Sequence, residues 1–295
     1  MSYDSKKIDE ISRQVRLDTI EIHRLCQATR IASSLSIVEL LVVLHYTGIR
    51  KFFPSEPNHS LRDRLIISKG HGSICMYPIL ADLGFFDRKH LLKVGQAESF
   101  LGGIPDPSVP GYESTNGSLG HGLGIGGGVA LYLKNQFGNN SPHVYILISD
   151  GELYEGSIWE ASMFIGAHKL KNITLMIDYN KKAMLGPTDE IIPLGDIPTK
   201  FRLMGWNAFE LDGHNSSEIY KAFQDSRTNN ELPTVMVANT VKGKGVRLLE
   251  DNPLSHIANL SPEEISAAVL EINNMQIKGN RISPTNAEQF SRSIY

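Results

Sequence analysis

Residues 143–180 read HVYILISDGELYEGSIWEASMFIGAHKLKNITLMIDYN, and no other part of the chain restricts its fold so tightly. The runs 144–148 and 173–177 are apolar without alternation, as strands covered on both faces are. Between them Trp159, Ala161, Met163, Phe164 and Ala167 recur at roughly helical spacing. This is one βαβ unit, with a right-handed crossover expected. The spacing therefore predicts an α/β protein: a doubly wound, mostly parallel sheet with helices on both faces. Asp150 and Asn180 close the two strands, at the carboxyl edge where such sheets bind ligands.

A carboxylate and an amide oxygen converging there suit one hard cation. Mg²⁺ takes about six oxygens at ~2.1 Å and rarely all from protein, so a phosphate is expected to complete the shell. The Gly151 N–H, near the start of the next helix, is placed to face that phosphate.

The rest of the chain reads as further α/β structure. Helices are expected over 8–30, 74–83, 120–133 and 216–228, and strands over 61–69, 205–211 and 234–240. A helix over 36–46 opens with Ser36 and has Glu39 three residues on, a capping-box pattern. Loops rich in Pro and Gly cover 99–118 and 184–199. With 295 residues, 41% of them hydrophobic, the chain can bury a large core. No break in composition divides it, so one domain is expected over 1–275, followed by a polar tail over 276–295. The net charge of −3 gives no electrostatic footprint for nucleic acid. The start MSYDSKKIDE is no signal peptide, and the apolar run 37–44 is too short for a bilayer. Cys26 and Cys75 lie in apolar surroundings and read as inert thiols. A cytoplasmic protein with no membrane or nucleic-acid partner is expected.

Three more segments carry candidate chemistry. In Ser68-Lys69-Gly70-His71-Gly72, glycines flank a His and let a ligand approach the backbone; His71 is either a structural loop residue or a phosphate donor and proton carrier. Asn116-Gly117-Ser118-Leu119-Gly120-His121-Gly122 precedes further glycines at 124 and 126–128. These bring a helix close to a strand or receive an anion, but form neither a Walker loop nor a dinucleotide fingerprint. That absence argues against a nucleotide-dependent oxidoreductase. His256 follows the run Val241-Lys242-Gly243-Lys244-Gly245-Val246 after a short loop, and Glu155 stands in a first helical turn, where the dipole favours an acid.

Taken in order, these motifs resemble the transketolase family of thiamine-diphosphate enzymes. DGE with a later Asn is similar to its cofactor motif, and SDGELYEGSIWEA resembles the transketolase branch in particular. The resemblance implies thiamine diphosphate with Mg²⁺ (or Ca²⁺ or Mn²⁺), the metal held by Asp150, Asn180 and the Lys182 carbonyl. It implies cofactor contacts from His71, Gly117, Ser118, Leu119, Asp150, Gly151, Glu152, Asn180 and His256. Catalytic roles fall to His71, to His256 and to Glu155, the last in a proton relay between paired sites. It covers roughly residues 8–265 and matches only the diphosphate-binding half of a transketolase. The half that grips the aminopyrimidine and supplies its activating glutamate is expected on a partner, the C-terminal subunit of a split enzyme, in an α2β2 assembly. The implied reaction is transfer of a two-carbon ketol unit between sugar phosphates.

Three positions depart from the family. Arg30 and Ile104 stand where substrate-contacting histidines are found, and Ser149 where a Gly precedes the Asp. Ile104 cannot donate to a donor hydroxyl and suits a methyl group; Arg30 suits a carboxylate or phosphate. Acetyl transfer from pyruvate or a 1-deoxy ketose, onto an unusual or nucleotide-linked sugar, is therefore the alternative reaction. A non-catalytic scaffold is the second.

Overall fold

A computed structural model describes residues 3–228 and 231–275. Its elements, in order, are α1 Ser5–Leu25, α2 Ile31–Leu35, α3 Val38–Tyr46, β1 Arg64–Ile67, α4 Met76–Asp82, α5 Gly122–Phe137, β2 Val144–Ser149 and α6 Gly156–Ala167. Then come β3 Ile173–Tyr179, α7 Thr188–Ile191, α8 Ile197–Leu203, β4 Asn207–Asp212, α9 Ser216–Thr228, β5 Thr234–Asn239, α10 Arg247–Asp251 and α11 Pro262–Asn273. The tail expected over 276–295 lies outside the described residues.

The five strands pair in parallel in the order β1-β2-β3-β5-β4. Successive side chains of a strand point to opposite faces, so each strand feeds two cores. Ile66, Val144, Ile146, Ile173, Leu175 and Val235 face α5, α6 and α8. Leu65, Tyr145, Leu147, Met176 and Met236 face α1, α3, α4 and α9. The chain passes β3, runs to the edge at β4 and returns to β5. A crossover of constant hand that reverses direction must land on the opposite face, and α9 does. The α/β sheet with helices on both faces is thus as expected. A third cluster, including Ile20, Leu35, Leu249 and Ile265, joins α11 to α1 and α2.

Three expectations fail here. The helix expected over 8–30 ends at Leu25, and α2 begins only after a short break. Ser36 does not cap the third helix, whose first residue is Val38. Its hydroxyl donates to Asp178 Oδ2 at 2.8 Å, while Glu39 pairs with Arg16 at 2.6 Å and His214 at 2.9 Å. Local spacing resembled a cap, but a buried acid with a buried guanidinium in reach takes the stronger partner. That network also fixes the segment after β5: Arg16 Nε donates to Lys244 O at 3.1 Å, and the Val241 N–H donates to His214 Nε2 at 2.8 Å. The expected strand 61–69 is shorter, since only Arg64–Ile67 pairs with β2.

Candidate functional site

In the β2–β3 register Ser149 lies opposite Asp178, so Asp150 and Asn180 leave neighbouring strands at one edge. Asp150 is 1% exposed. Its oxygens accept the Gly151 N–H at 2.8 Å and the Lys181 N–H at 2.6 Å, and among the described residues no cation pairs with it. Burial, helped by the nearby Asp178 charge, pushes the Asp150 carboxyl up to about 6. Asn180 is buried as well; its Oδ1 accepts the Lys182 N–H at 3.2 Å and its Nδ2 donates to Asp178 Oδ2 at 2.9 Å. An ionised carboxylate only accepts, so Asp178 sets which way the Asn180 amide faces. Lys181, directly after Asn180, has φ 62°, a left-handed conformation that non-glycine residues adopt at a cost and mostly at functional sites. The Lys182 carbonyl accepts from Lys242 Nζ at 2.9 Å.

Beneath this edge lies a feature that sequence reasoning missed. Asp178, fully buried, forms an ion pair with Lys69 of the SKGHG turn. It also accepts from Ser36 at 2.8 Å and from the Thr240 hydroxyl. Lys69 Nζ donates in addition to Ser33 O at 2.9 Å. Burial alone raises the Asp178 carboxyl, yet the Lys69 ammonium and the hydroxyl donors hold it below the ordinary aspartate value. One carboxylate thereby joins the ends of β1, β3 and β5 to α2. The signal was present in sequence: a Lys and an Asp, each at the end of an apolar strand.

The Gly70–Gly72 turn carries His71. A Cβ on Gly72 would sit 2.6 Å from Lys69 Cε and 2.7 Å from Ser33 O, so this turn closes only over glycine. The His71 and His256 rings lie 5.0 Å apart. Lys242 Nζ is 3.2 Å from His256 Nδ1. An ammonium can only donate, so His256 Nδ1 is the acceptor and the ring proton sits on Nε2. Burial lowers His256 to about 4 and Lys242 to about 8, and holds His71 well below an ordinary imidazole. Both rings are neutral at pH 7. The His71 ring, partly buried, makes no hydrogen bond among the described residues. Arg30, at the start of α2, is partly buried beside His256, which feels its charge; its guanidinium likewise has no partner among the described residues.

The glycine-rich segment borders this cluster. Gly117, with φ 137°, and Ser118 are exposed, and Leu119 is partly buried. Gly122 lies on Ser68, where a Cβ would come within 2.4 Å of Ser68 Cβ, and Gly126 lies on Ile146. Gly124 and Gly128 face open space. The close-packing role of the glycines thus holds for one side of α5. Glu152, expected among the cofactor contacts, is spent on the protein: it accepts from the Ser68 hydroxyl, from the Gly120 N–H at 3.0 Å and from the Ser149 N–H at 2.9 Å. It is fully buried and ties the glycine-rich loop to β1 and β2. The Gly151 N–H likewise turns to Asp150 rather than outward. Glu155 is exposed at the N-terminus of α6, against Gly120, and no hydrogen bond or ion pair among the described residues joins it to the two histidines. Ile104 is 49% exposed and packs over Gly70 and Gly117.

One edge therefore gathers a carboxylate, an amide oxygen and a main-chain carbonyl, flanked by Lys242, Arg30 and two neutral imidazoles. Among the described residues no group of three or more His, Cys, Asp or Glu could hold a metal. A set with one carboxylate instead suits a hard cation whose charge is completed by an anionic ligand. The unpartnered His71 and the cationic Lys242 suit that anion.

Residues 5–277 match the family model described as "Transketolase, thiamine diphosphate binding domain". The chain is 37% identical over 243 residues to the 6-deoxy-6-sulfo-D-fructose transketolase subunit SqwG of Clostridium sp. (strain MSTE9), covering 82% of this chain and 87% of that protein. It is 33% identical over 261 residues to one subunit of the apulose-4-phosphate transketolase of Phocaeicola vulgatus, covering 88% and 92%. Against human transketolase it is 30% identical and covers 43% of that longer chain. The crystal structure of Campylobacter jejuni transketolase superimposes with a TM-score of 0.85 at 28% identity, over 98% of this chain and 46% of that one.

Proposed function

Because this chain belongs to the transketolase family, through its thiamine-diphosphate-binding domain, we propose that it is the diphosphate-binding subunit of a two-chain, Mg²⁺-dependent transketolase-like enzyme. The observation that carries this reading is the pairing of Asp150, Asn180 and the Lys182 carbonyl with Lys242 and the two histidines at one sheet edge. The oxygens would hold a divalent ion, and Lys242, His71 and His256 the charge of a diphosphate. Gly117, Ser118 and Leu119 would line the cofactor. When bound, thiamine diphosphate supplies a carbanion that adds to a carbonyl and stores the electron pair released on C–C cleavage. This chain's residues bind, orient and manage protons. His256, with its proton on Nε2, is a donor toward an oxygen gaining charge; His71, neutral, can accept or donate. Glu155, exposed, is available to a neighbouring chain. The two-carbon ketol unit of a sugar phosphate is the expected fragment.

Relatives named as subunits support a partner chain, for which we propose the pyrimidine-binding half, an activating glutamate and α2β2 stoichiometry. No helix of the described residues is long and apolar enough to cross a membrane, and Cys26 and Cys75 are free thiols; a cytoplasmic site of action belongs to the same reading. The test is reconstitution with the partner, followed by titration of thiamine diphosphate with and without Mg²⁺ by calorimetry. Mg²⁺-dependent binding that Asp150→Ala abolishes is the expected result; binding indifferent to both refutes the site. The isolated chain is expected to show no turnover.

A further inference from the structure

The His71 ring makes no hydrogen bond among the described residues, so its place is set by the backbone of the Gly70–Gly72 turn. Two contacts from other segments hold the ends of that turn. At its start Lys69 pairs with Asp178. Just past its end the Tyr112 hydroxyl donates to Ser73 O at 2.9 Å, and Ser73 Oγ donates to Gly70 O at 2.7 Å. Tyr112 belongs to loop 99–118, which has neither helix nor strand. The loop lies directly on the turn: a Cβ on Gly70 would stand 3.0 Å from the Asn116 carbonyl carbon and 3.1 Å from Ile104 Cγ2. The earlier arm of the loop is held the opposite way round. Tyr77, in the first turn of α4, donates its hydroxyl to Gly102 O at 2.7 Å. The helix thus reaches the loop through Tyr77, and the loop reaches the turn through Tyr112. The two rings meet edge to face with centroids 6.2 Å apart. Both residues are buried, and burial raises both phenols well above their ordinary value, so each hydroxyl keeps its proton through the neutral range.

We infer that Tyr77 and Tyr112 are positioning residues for cofactor binding: their hydroxyls fasten loop 99–118 to the turn that carries His71, and so hold that histidine where it meets the diphosphate. This deepens the proposed function and rests on it. A ring with no hydrogen bond of its own, on a loose turn, must be ordered when the ligand arrives, and that ordering is subtracted from affinity. Fastening the turn beforehand removes the cost. Ser73 O also accepts the Met76 N–H at 2.9 Å, so a phenylalanine at 112 leaves that carbonyl partnered and the chain folded. Loss of the Tyr112 hydroxyl therefore falls mainly on binding.

The experiment uses the reconstituted two-chain enzyme with saturating Mg²⁺. Calorimetry measures the Kd of thiamine diphosphate for the parent, Tyr112→Phe, Tyr77→Phe, His71→Ala and the double variant His71→Ala/Tyr112→Phe. Urea unfolding followed by circular dichroism is run on each. Tyr112→Phe and Tyr77→Phe should each raise Kd at least about threefold, the loss expected for one hydrogen bond. In the His71→Ala background Tyr112→Phe should move Kd by less than about 1.5-fold, because the tyrosine acts through the histidine. Tyr46→Phe is the control. It removes a tyrosine hydroxyl bonded at 2.6 Å to Asp82, the last residue of α4, and should leave Kd unchanged. An unchanged Kd in Tyr112→Phe, or an equal loss with and without His71, overturns the inference and leaves the proposed function standing. A lowered urea midpoint with unchanged Kd counts the same way, since it marks a purely structural bond. Should Tyr112→Phe not fold, Tyr77→Phe decides by the same threefold criterion. If the parent shows no Mg²⁺-dependent cofactor binding, the proposed function falls, and the inference with it.

Discussion

The Asp178–Lys69 pair gives the sharpest quantitative expectation. Both side chains are sealed from solvent, at 0% and 1% exposure. Asp178→Ala leaves an ammonium in the interior with only Ser33 O at 2.9 Å and Ser36 Oγ at 3.4 Å to receive it. Removing one member of a buried pair costs about 3–5 kcal/mol, because the survivor's desolvation is no longer compensated. Against a total of about 5–15 kcal/mol for a domain, that is a large share. With a urea m-value of about 3 kcal/mol/M, the unfolding midpoint should fall by about 1–1.7 M. Lys69→Met should be comparably severe, since it strands the carboxylate. The double variant Lys69→Met/Asp178→Leu removes both charges and should cost well under the sum of the singles; apolar replacement of a whole buried pair is often near neutral. A second consequence separates this account from simple loss of packing. Without Asp178 the Asn180 amide loses the acceptor that orients it, so the double variant, though stable, should bind Mg²⁺ with thiamine diphosphate at least tenfold more weakly. Urea titration followed by circular dichroism, and calorimetry on the reconstituted enzyme, are the assays. An Asp178→Ala variant within 1 kcal/mol of the parent, or a double variant with unchanged cofactor affinity, refutes the reasoning.

Acid should unfold the chain early. Burial holds His23 near 4, and His45 and His143 near 3, against 6.5 when unfolded. A depressed histidine gives stability that is complete above the unfolded value and is lost as pH falls from there toward the folded one. At pH 5 each such group costs about 2 kcal/mol, and the three together approach the stability of a domain; a midpoint below pH 3.5 in a circular dichroism titration would contradict this. Gly166→Ala should be among the most damaging single-methyl changes, because its Cβ would lie 1.8 Å from the Met204 carbonyl oxygen. A loss of at least about 3 kcal/mol in urea unfolding is expected. Saturating thiamine diphosphate with Mg²⁺ should stabilise the two-chain enzyme by about 2.7 kcal/mol at a hundredfold excess over Kd, seen as a rise in Tm that Asp150→Ala removes.

The sheet was legible because its strands are apolar runs whose period leaves little choice, and so was the meeting of Asp150 and Asn180 at one edge, because parallel strands bring their ends together. Loop 99–118 yielded Ile104 and Gly117 only through resemblance; nothing periodic marks them. Sequence reasoning failed where a polar residue had two possible partners. Ser36 and Glu39 have the spacing of a cap, but long-range partners claim both. Glu152, next to the candidate ligands, turns inward to Ser68, Ser149 and Gly120, a choice fixed by three segments meeting in space. Lys242 stood in plain view inside a basic run. Its place beside His256 depends on the Arg16–Glu39–His214 network that pins the segment after β5, which no local pattern encodes.

The buried carboxylates, compared with one another, argue for Asp150 as a ligand better than any motif does. Glu39 meets Arg16 and His214. Asp63 meets Arg227 at 3.1 Å and two main-chain amides. Glu113 sits among Arg62, Arg64 and Arg50, and Asp178 has Lys69. Glu152 lacks a cation but its oxygens are filled by hydroxyl and amide donors. Asp150 has two main-chain amides and nothing else among the described residues, although a carboxylate can accept about four bonds. That the fold satisfies its other interior acids and leaves this one short, with a raised pKa and a main-chain carbonyl held by an ammonium close by, supports the proposal that Asp150 receives a cation from outside. Asp150→Asn supplies the discriminating case. It should relieve the buried charge and leave the chain as stable or more so, while Mg²⁺-dependent cofactor binding falls at least tenfold. If stability drops by more than about 1 kcal/mol, Asp150 is a structural acid like the rest.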